Sequence, residues 1–345
     1  MSQKITIKDV AKHAGVGVGT VSRVINGSNN VSPTMKKRIF ESIEELGYTP
    51  NYVAQSMRTQ KYKNIAFFAD ISNPIFAQIA KETQIGLEQY GYTLSLCSIG
   101  DKDLANKILS FLEGRRFDGI ILSIPKEDDI ELNESLSNID IPIVTINRDV
   151  PNMSASVLTD FYSSVKEATS YLLRLGHRNI ALIGGDKEIR PTREGIKAYR
   201  DAYHENKQVP NESLIRNGKL TSESGEEIFK ELLPNIHNEE ITAILSLNNQ
   251  MFYGVLRVMR KVKIQYPKDI SVITFEDSEL MELLDPPITV IHRPIKDIGK
   301  SIVKLLKKCM EEPELSGKLN PIVIPTEFII RDSCREIYSH EITSN

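Results

Sequence analysis

The sequence has no apolar run long enough to cross a membrane, because a spanning helix needs about 20 consecutive apolar residues. Its first residues, Met1 to Lys8, lack the apolar segment of a secretory signal. Only three cysteines occur (Cys97, Cys309 and Cys334), and no two of them have the spacing of metal ligands. These absences exclude an integral membrane protein and a secreted disulfide scaffold, and they favour a cytoplasmic protein.

Motifs that signal common enzyme classes are also missing. The sequence contains no phosphate-binding P-loop, no Gly-x-Ser-x-Gly elbow, no His-Glu-x-x-His and no Cys-x-x-Cys. His177 follows a predicted helix end, where a structural role is favoured over that of a general base. We therefore predict a protein without catalytic residues, metal or cofactor. An enzyme is the alternative, and it would consume the ligand that a binding protein only holds.

Charge is distributed unevenly along the 345 residues, a length typical of two or three domains. Residues 1–63 contain ten lysines and arginines but four acidic residues, whereas residues 64–345 contain 33 basic and 42 acidic residues. A basic head on an acidic body indicates a nucleic-acid contact confined to the head. The alternative is a solvated surface with an uneven charge.

The head has the signals of three short helices. Thr6 is a predicted N-cap with an acidic residue three positions later, and Ser32-Pro33 is a second start signal. Gly15 and Gly47 are expected helix ends. Apolar residues recur at helical spacing in each segment: Ile7, Val10, Ala11 and Ala14, then Val21, Val24 and Ile25, then Ile39, Ile43 and Leu46. These proportions predict a helix-turn-helix unit.

Three glycines in Gly15-Val16-Gly17-Val18-Gly19 have a superficial likeness to a dinucleotide-binding fingerprint. That fingerprint must follow a strand and open the helix of a βαβ unit. Here a capped helix precedes the glycines, so the context disfavours a nucleotide site.

The segment from Ile5 to Gly27 resembles the N-terminal signature of the LacI/GalR family of bacterial transcription regulators. The likeness continues through Val31-Ser32-Pro33, Leu46–Asn51 and Ala54–Arg58. It implies a second helix that lies in the major groove of operator DNA. Gly17 departs from the family's usual serine. The resemblance, with the reasoning above, predicts these DNA-contacting residues: Thr6, Val18, Gly19, Thr20, Ser22, Arg23, Asn26, Tyr48, Asn51, Ala54, Gln55, Met57 and Arg58.

Two of these residues have defined alternatives. Arg23 can donate two hydrogen bonds to guanine, contact a phosphate, or remain solvated. Met57 stands where the family inserts an apolar residue, usually leucine, into the central base step, although it could instead pack against the head. The hinge helix around residues 51–59 is too short to be stable alone, so its order should come from DNA and a partner chain. The resemblance thus implies a homodimer on palindromic double-stranded DNA.

From Asn64 onward, short apolar runs alternate with helix-length segments such as Ile75–Tyr90, Tyr162–Leu175 and Gln250–Lys263. This pattern predicts doubly wound parallel sheets in two lobes that divide near Asp160. Predicted strands are Ile65–Ala69, Thr93–Cys97, Gly119–Ile124, Ile141–Ile146, Asn179–Ile183, Ala243–Leu247, Ser271–Phe275, Thr289–Ile291 and Ile322–Ile324.

The complete fold prediction joins a small all-α helix-turn-helix head and a hinge helix to a two-lobed α/β core like that of periplasmic binding proteins. The head covers residues 1–50, and the hinge and linker cover 51–63. The core covers 64–345, with one lobe of 64–160 plus 293–325 and the other of 161–292 plus 326–340. The chain crosses between the lobes near Asp160, His292-Arg293 and Thr326, as the family topology implies.

Ligands of such sheets bind beyond the carboxyl ends of the strands. That rule and the resemblance predict an effector site made of Asn73, Phe76, Ser123, Arg148, Asp160, Arg190, Arg193, Asn248, Phe275 and Glu276. Phe76 and Phe275 could face a sugar ring or belong to the core. The arginines, with Lys219, could bind a phosphate or carboxylate, or they could pair with Asp149, Asp160 or Asp186.

Several positions depart from the family pattern, so the effector need not be a familiar one. Asn249 and Glu276 replace residues of different charge or length, and Gly195 replaces an arginine. A Pro-x-Tyr-Asp motif of relatives that bind a phosphorylated carrier protein reads Pro-Ile-Lys-Asp at 294–297, which disfavours that corepressor. We predict a repressor of a carbohydrate-utilisation operon, controlled by a sugar or a phosphorylated or acidic sugar. A transport binding protein on the same core is the alternative, disfavoured by the basic head.

Overall fold

The computed structural model describes residues 5–25, 30–48, 61–100, 104–113, 117–127, 129–150, 153 and 155–337. The chain separates into two compact units, Met1–Tyr62 and Lys63–Asn345. The predicted hinge helix lies outside the described residues. Within the part of the chain that is described, no helix has the length and apolarity needed to cross a membrane.

The head contains three helices, α1 (Ile7–His13), α2 (Val18–Ile25) and α3 (Pro33–Leu46). The predicted start and stop signals are present: Ser32 precedes α3, and Gly15 and Gly47 have positive φ angles of 63° and 61° at helix ends. A positive φ favours glycine because it has no Cβ. The helices share a small apolar core: Val10, Ala11, Ala14, Val21, Val24, Val31 and Ile39. No strand precedes the glycines at 15–19 within residues 5–25, so the nucleotide alternative lacks its structural context.

The first lobe of the second unit contains a six-stranded parallel sheet in the order β11-β5-β4-β3-β1-β2. Residues 65–69, which lie in β1 (Asn64–Ala69), are all buried, as expected for a strand covered on both faces. Helices α4 and α12 cover one face, and α5 and α6 cover the other. Its elements are β1 (Asn64–Ala69), α4 (Pro74–Glu88), β2 (Thr93–Ser98), α5 (Leu104–Leu112), β3 (Gly119–Leu122), α6 (Ile130–Ser137), β4 (Ile143–Ile146), β5 (Ala155–Thr159), α12 (Ile295–Glu311) and β11 (Ile322–Ile324).

The second lobe repeats this plan with the order β12-β10-β9-β8-β6-β7, in which only the pairing of β12 with β10 is antiparallel among the described strands. Helices α9 and α10 cover one face, and α7 and α8 cover the other. Its elements are α7 (Phe161–Arg174), β6 (Ile180–Gly184), α8 (Arg190–Glu205), β7 (Ile215–Asn217), α9 (Ser222–His237), β8 (Ala243–Ser246), α10 (Asn249–Val262), β9 (Ser271–Phe275), α11 (Glu279–Leu283), β10 (Thr289–His292) and β12 (Glu327–Ile329).

Three strands were not predicted from the sequence: β5, β7 and β12. In β5 the apolar run is interrupted by Ser156 and ends in Thr159. The backbone N–H of Thr159 donates to Oδ1 of the Asn147 side chain at 2.6 Å. The other two are three-residue edge strands with one or two apolar residues. Their extended backbone is stabilised by hydrogen bonds to neighbouring strands, so their own composition gives a weak signal.

Candidate functional site

Helix α2 presents one exposed face and one buried face. Val21 and Val24 lie in the head core, whereas Val18 is 40% exposed and Gly19 and Arg23 are exposed. A large aliphatic side chain and a cation on the same exposed face have no role in stabilising the three-helix core. This face therefore has the composition expected of a surface that contacts a partner.

The other described head residues of the DNA prediction are placed differently. Thr20, Ser22 and Tyr48 are partly buried, and Tyr48 packs against the head core. The N–H and hydroxyl of Thr6 donate to Oδ2 of Asp9 at 2.8 and 2.6 Å, which lowers the pKa of Asp9. The remaining predicted contacts lie outside the described residues: Asn26, Asn51, Ala54, Gln55, Met57 and Arg58.

A cavity of about 1260 Å³ lies between the two lobes of the core. It opens beyond the carboxyl ends of the strands, where the chemistry of a doubly wound sheet is expected. The first lobe contributes residues after β1, β3 and β4, the second lobe contributes residues after β6, β7 and β8, and Arg293 comes from the crossover between them. The volume exceeds the roughly 300–1,000 Å³ of ordinary small-molecule sites, so it has room for a sugar-sized ligand and water.

Five of the ten predicted effector residues line this cavity: Asn73, Phe76, Ser123, Arg148 and Asn248. Two of them also cap helices. The Oδ1 atom of Asn73 accepts the Ile75 N–H at 3.2 Å, and that of Asn248 accepts the Met251 N–H at 3.0 Å. These caps hold both amides at the edge of the cavity by local hydrogen bonds.

Three other predicted residues are not part of the cavity lining, and their side chains make other contacts. Asp160 caps α7 through a 2.9 Å hydrogen bond from the Ser163 N–H. Phe275 is in the core, with its ring centroid 4.8 Å from that of Phe161. Glu276 is buried and pairs with Arg293. The alternative of ordinary core packing therefore describes Phe275, and we leave all three out of the proposed effector contacts.

Arg190 and Arg193 bridge the lobes instead of lining the cavity. Arg190 Nη1 donates to Oδ1 of Asp149 at 3.0 Å, and Arg193 Nη2 donates to Oδ2 of the same carboxylate at 2.8 Å. Glu127 accepts from Arg193 Nη1 at 2.9 Å and from the Arg190 N–H at 2.8 Å. Both carboxylates belong to the first lobe and both arginines to the second. We call these four residues the interlobe ion cluster, and the ion-pair alternative describes both arginines.

A second bridge joins the lobes through two buried amides. Asn73 Nδ2 donates to Asn249 Oδ1, and Asn249 Nδ2 donates to Asn73 Oδ1, each at 3.2 Å. An acidic residue at 249 could accept but not return such a bond, so the amide at this position makes the reciprocal pair possible.

Arg148 is the most buried cation of the cavity wall, with 6% of its surface exposed. Its Nε donates to the carbonyl of Ile124, and its Nη1 donates to that of Asn147 at 2.8 Å. Burial lowers the pKa of Arg148 to about 10, although nearby Glu127 opposes that shift. The group is still a full cation at neutral pH.

The cavity also contains residues that the sequence reasoning did not select. Arg216 and Asn217 end β7, and a predicted strand there would have brought them into the set by the carboxyl-end rule. Arg293 and Phe161 also line the cavity, but they lie where the chain crosses between the lobes. The carboxyl-end rule did not select them from the sequence. Among the described residues, no group of three or more His, Cys, Asp or Glu side chains could hold a metal ion.

Comparisons with known proteins agree with both units. The family described as bacterial regulatory proteins, lacI family, matches residues 6–51, and a periplasmic binding protein-like domain matches residues 169–334. The chain is 33% identical to the transcriptional regulator DegA of Bacillus subtilis over 96% of this chain and 98% of that one. It is 31% identical to catabolite control protein A of Priestia megaterium, over 96% and 99%. The solved complex of the regulator CelR with cellobiose is 28% identical, with a TM-score of 0.71 over 95% and 99%.

Proposed function

The chain belongs to the LacI family of bacterial regulatory proteins, and we propose that it represses a carbohydrate-utilisation operon under the control of a small effector. Like its relatives, it is a DNA-binding transcriptional regulator and not an enzyme. The proposed effector is a sugar or sugar derivative bound between the core lobes. We expect the protein to act in the cytoplasm, because bacterial operator DNA lies there.

One observation carries the proposal: the same chain combines a helix-turn-helix head with a two-lobed core whose interlobe cavity is lined by amide, hydroxyl and charged side chains among apolar ones. The head supplies a means of contacting DNA, and the cavity supplies a means of sensing a small molecule. A cavity between two lobes can couple ligand binding to lobe orientation, which gives a physical route from effector to DNA affinity.

For DNA binding, we propose that the exposed face of α2 enters the major groove, with Val18, Gly19 and Arg23 nearest the bases. One helix-turn-helix unit reads one half-site, so a homodimer would read a palindromic operator. Met57, outside the described residues, is the proposed wedge at the central base step.

For effector binding, we propose contacts from Asn73, Phe76, Ser123, Arg148 and Asn248. Amide and hydroxyl groups can hydrogen-bond sugar hydroxyls, and the ring of Phe76 can cover an apolar sugar face. CelR, a relative solved with cellobiose, supports a carbohydrate as the ligand class.

The DNA proposal can be tested with operators selected from random duplexes by the purified protein. Arg23→Ala should weaken operator binding by about 5–150-fold if Arg23 contacts a base, since such a contact contributes roughly 1–3 kcal/mol. Lys37→Ala removes the same charge from an exposed site on α3 and is the matched control. Fluorescence anisotropy on operator and scrambled DNA separates the loss of a base contact, which weakens operator binding alone, from a loss of general charge attraction, which weakens binding to both DNAs. Equal losses for both variants on both DNAs would contradict base reading by α2.

Effector control has a separate thermodynamic test. If a sugar releases the operator, then the operator must weaken sugar binding by the same factor. Titration calorimetry with and without saturating operator measures both sides of that cycle. A sugar that binds the protein without any change in operator affinity would refute control through the cavity.

A further inference from the structure

The cavity wall contains a buried positive charge that the described protein does not neutralise by direct pairing. No carboxylate of the described residues lies within 4.0 Å of the guanidinium nitrogens of Arg148, whose Nε and Nη1 donate instead to two neutral backbone carbonyls. A buried cation without a directly paired anion carries a desolvation cost, which the charge of nearby Glu127 offsets only in part. Such a cost at a cavity wall is offset when a ligand supplies the anion.

Three carboxylates of the surrounding lobes, Glu127, Asp149 and Glu276, are engaged with other cations. Glu127 accepts from Arg193 and from the Arg190 N–H, and Asp149 accepts from both of those arginines. Glu276 pairs with Arg293. Each of these three carboxylates already pairs with another arginine, so none forms a direct ion pair with Arg148.

A second guanidinium faces the same cavity. Arg293 lines it from the lobe crossover, with its guanidinium carbon 5.9 Å from the ring centroid of Phe161. Its positive charge adds to burial in lowering the pKa of Arg148, which indicates that the two cations act on each other. Both arginines line the same cavity, so an anion bound there could accept from Arg148 while Arg293, whose Nε donates to Glu276, adds a second donor group.

We propose that the effector carries an anionic group, a carboxylate or a phosphate, that binds Arg148 beside Arg293 in the interlobe cavity. This inference rests on the proposed function, in which the cavity is the effector site. Arg148 then supplies the charge, while Asn73, Ser123 and Asn248 contact the neutral part of the ligand. A guanidinium suits both anions because its planar fork can donate two parallel hydrogen bonds.

The first experiment uses inorganic phosphate as the probe, at constant ionic strength maintained with chloride. Phosphate should raise the melting temperature of the full-length protein, since a ligand specific for the folded state stabilises it. The phosphate Kd derived from that shift should weaken about tenfold or more in Arg148→Gln, as expected for a lost charged hydrogen bond. Arg148→Lys keeps the charge but loses the fork, so it should weaken phosphate less.

The matched control is Lys126→Gln, which removes an exposed cation from the same cavity. It should leave the phosphate Kd within about twofold of the original, because exposed charges interact weakly through water. An equal loss in Lys126→Gln and Arg148→Gln would show diffuse attraction and overturn the proposal. If Arg148→Gln does not fold, an unchanged Kd in Arg148→Lys together with a weakened one in Lys126→Gln would overturn it as well.

A second experiment identifies the anion with matched sets of a neutral hexose, its 6-phosphate and its uronate. The 6-phosphate or the uronate should bind more tightly than the neutral hexose, and this difference in affinity should disappear in Arg148→Gln. Whichever of the two binds more tightly shows whether the anionic group is a phosphate or a carboxylate. If a neutral sugar releases operator equally from the original protein and from Arg148→Gln, the proposal of an anionic effector is refuted and the proposed function remains intact. If neither phosphate nor any sugar of the sets binds, both proposals fail.

Discussion

We expect the buried side chain of His177 to make the free energy of unfolding depend on pH. The residue is fully buried after α7, and its Nε2 lies 3.1 Å from the carbonyl oxygen of Arg335. A carbonyl can only accept, so Nε2 carries the proton and Nδ1 accepts from the Thr242 hydroxyl at 2.8 Å. This arrangement uses both nitrogens of a neutral ring. It supports the structural role expected from the sequence and provides no exposed general base.

Burial lowers the pKa of His177 to about 4 from its ordinary 6.5. The unfolded chain therefore binds a proton at higher pH than the folded chain does. Stability from this group is complete above about pH 6.5 and is lost as the pH falls toward 4. The full difference corresponds to roughly 3 kcal/mol at about 1.36 kcal/mol for each pH unit. Between about pH 7 and pH 5 the loss should be about 2 kcal/mol.

The assay is thermal unfolding of the original protein and of His177→Gln near pH 7 and near pH 5. Glutamine can still donate to the Arg335 carbonyl but does not titrate in this range. A loss of about 2 kcal/mol should lower the melting temperature by roughly 4–8 °C more in the original protein than in the variant. Because the other histidines are present in both proteins, their contributions cancel in this difference.

His204→Gln is the matched control, since His204 is an exposed histidine in the last turn of α8. Its side chain is exposed and, among the described residues, has no buried partner to lose, so its removal should not reduce the acid sensitivity. Identical pH dependence in the original protein and in His177→Gln would refute the buried neutral histidine and the magnitude worked from it.

Two further predictions concern packing and the lobes. Glu127→Gln should weaken the interlobe ion cluster by about 1.5 kcal/mol, the low end for charged hydrogen bonds because Arg193 is 40% exposed. Small-angle scattering should show a larger radius of gyration for Glu127→Gln than for the original protein. Glu231→Gln breaks an ion pair inside one lobe and should leave the radius unchanged. Equal radii for Glu127→Gln and the original protein would contradict a bridging role of Glu127. Gly254→Ala should destabilise the core by about 1–3 kcal/mol because its Cβ would lie 2.0 Å from a backbone oxygen of α9. Urea unfolding tests this against Gly100→Ala, which has open space, and a harmless Gly254→Ala would contradict the close approach.

Local signals in the sequence were sufficient for the head. The start of α3 after Ser32, with Pro33 as its first residue, and the helix ends at Gly15 and Gly47 follow from the backbone preferences of single residues. The apolar spacing that predicts Val21 and Val24 as buried also leaves Val18 and Arg23 on the opposite face of α2. Caps and helical periodicity are short-range properties, and therefore the residues themselves contain the information.

The sequence also determined the two-lobed α/β fold, because strands buried on both faces need continuous apolar runs. It did not determine the role of each charged residue at the cavity. Glu127 and Arg193 are 66 positions apart, and their ion pair exists only because the fold brings the two lobes together. Residue type alone is compatible with either an effector contact or an ion pair for Arg190 and Arg193, and the tertiary contacts place both in the interlobe ion cluster. The same contacts leave Arg148 as the buried cation at the cavity, since pairing depends on distances that only the folded chain sets.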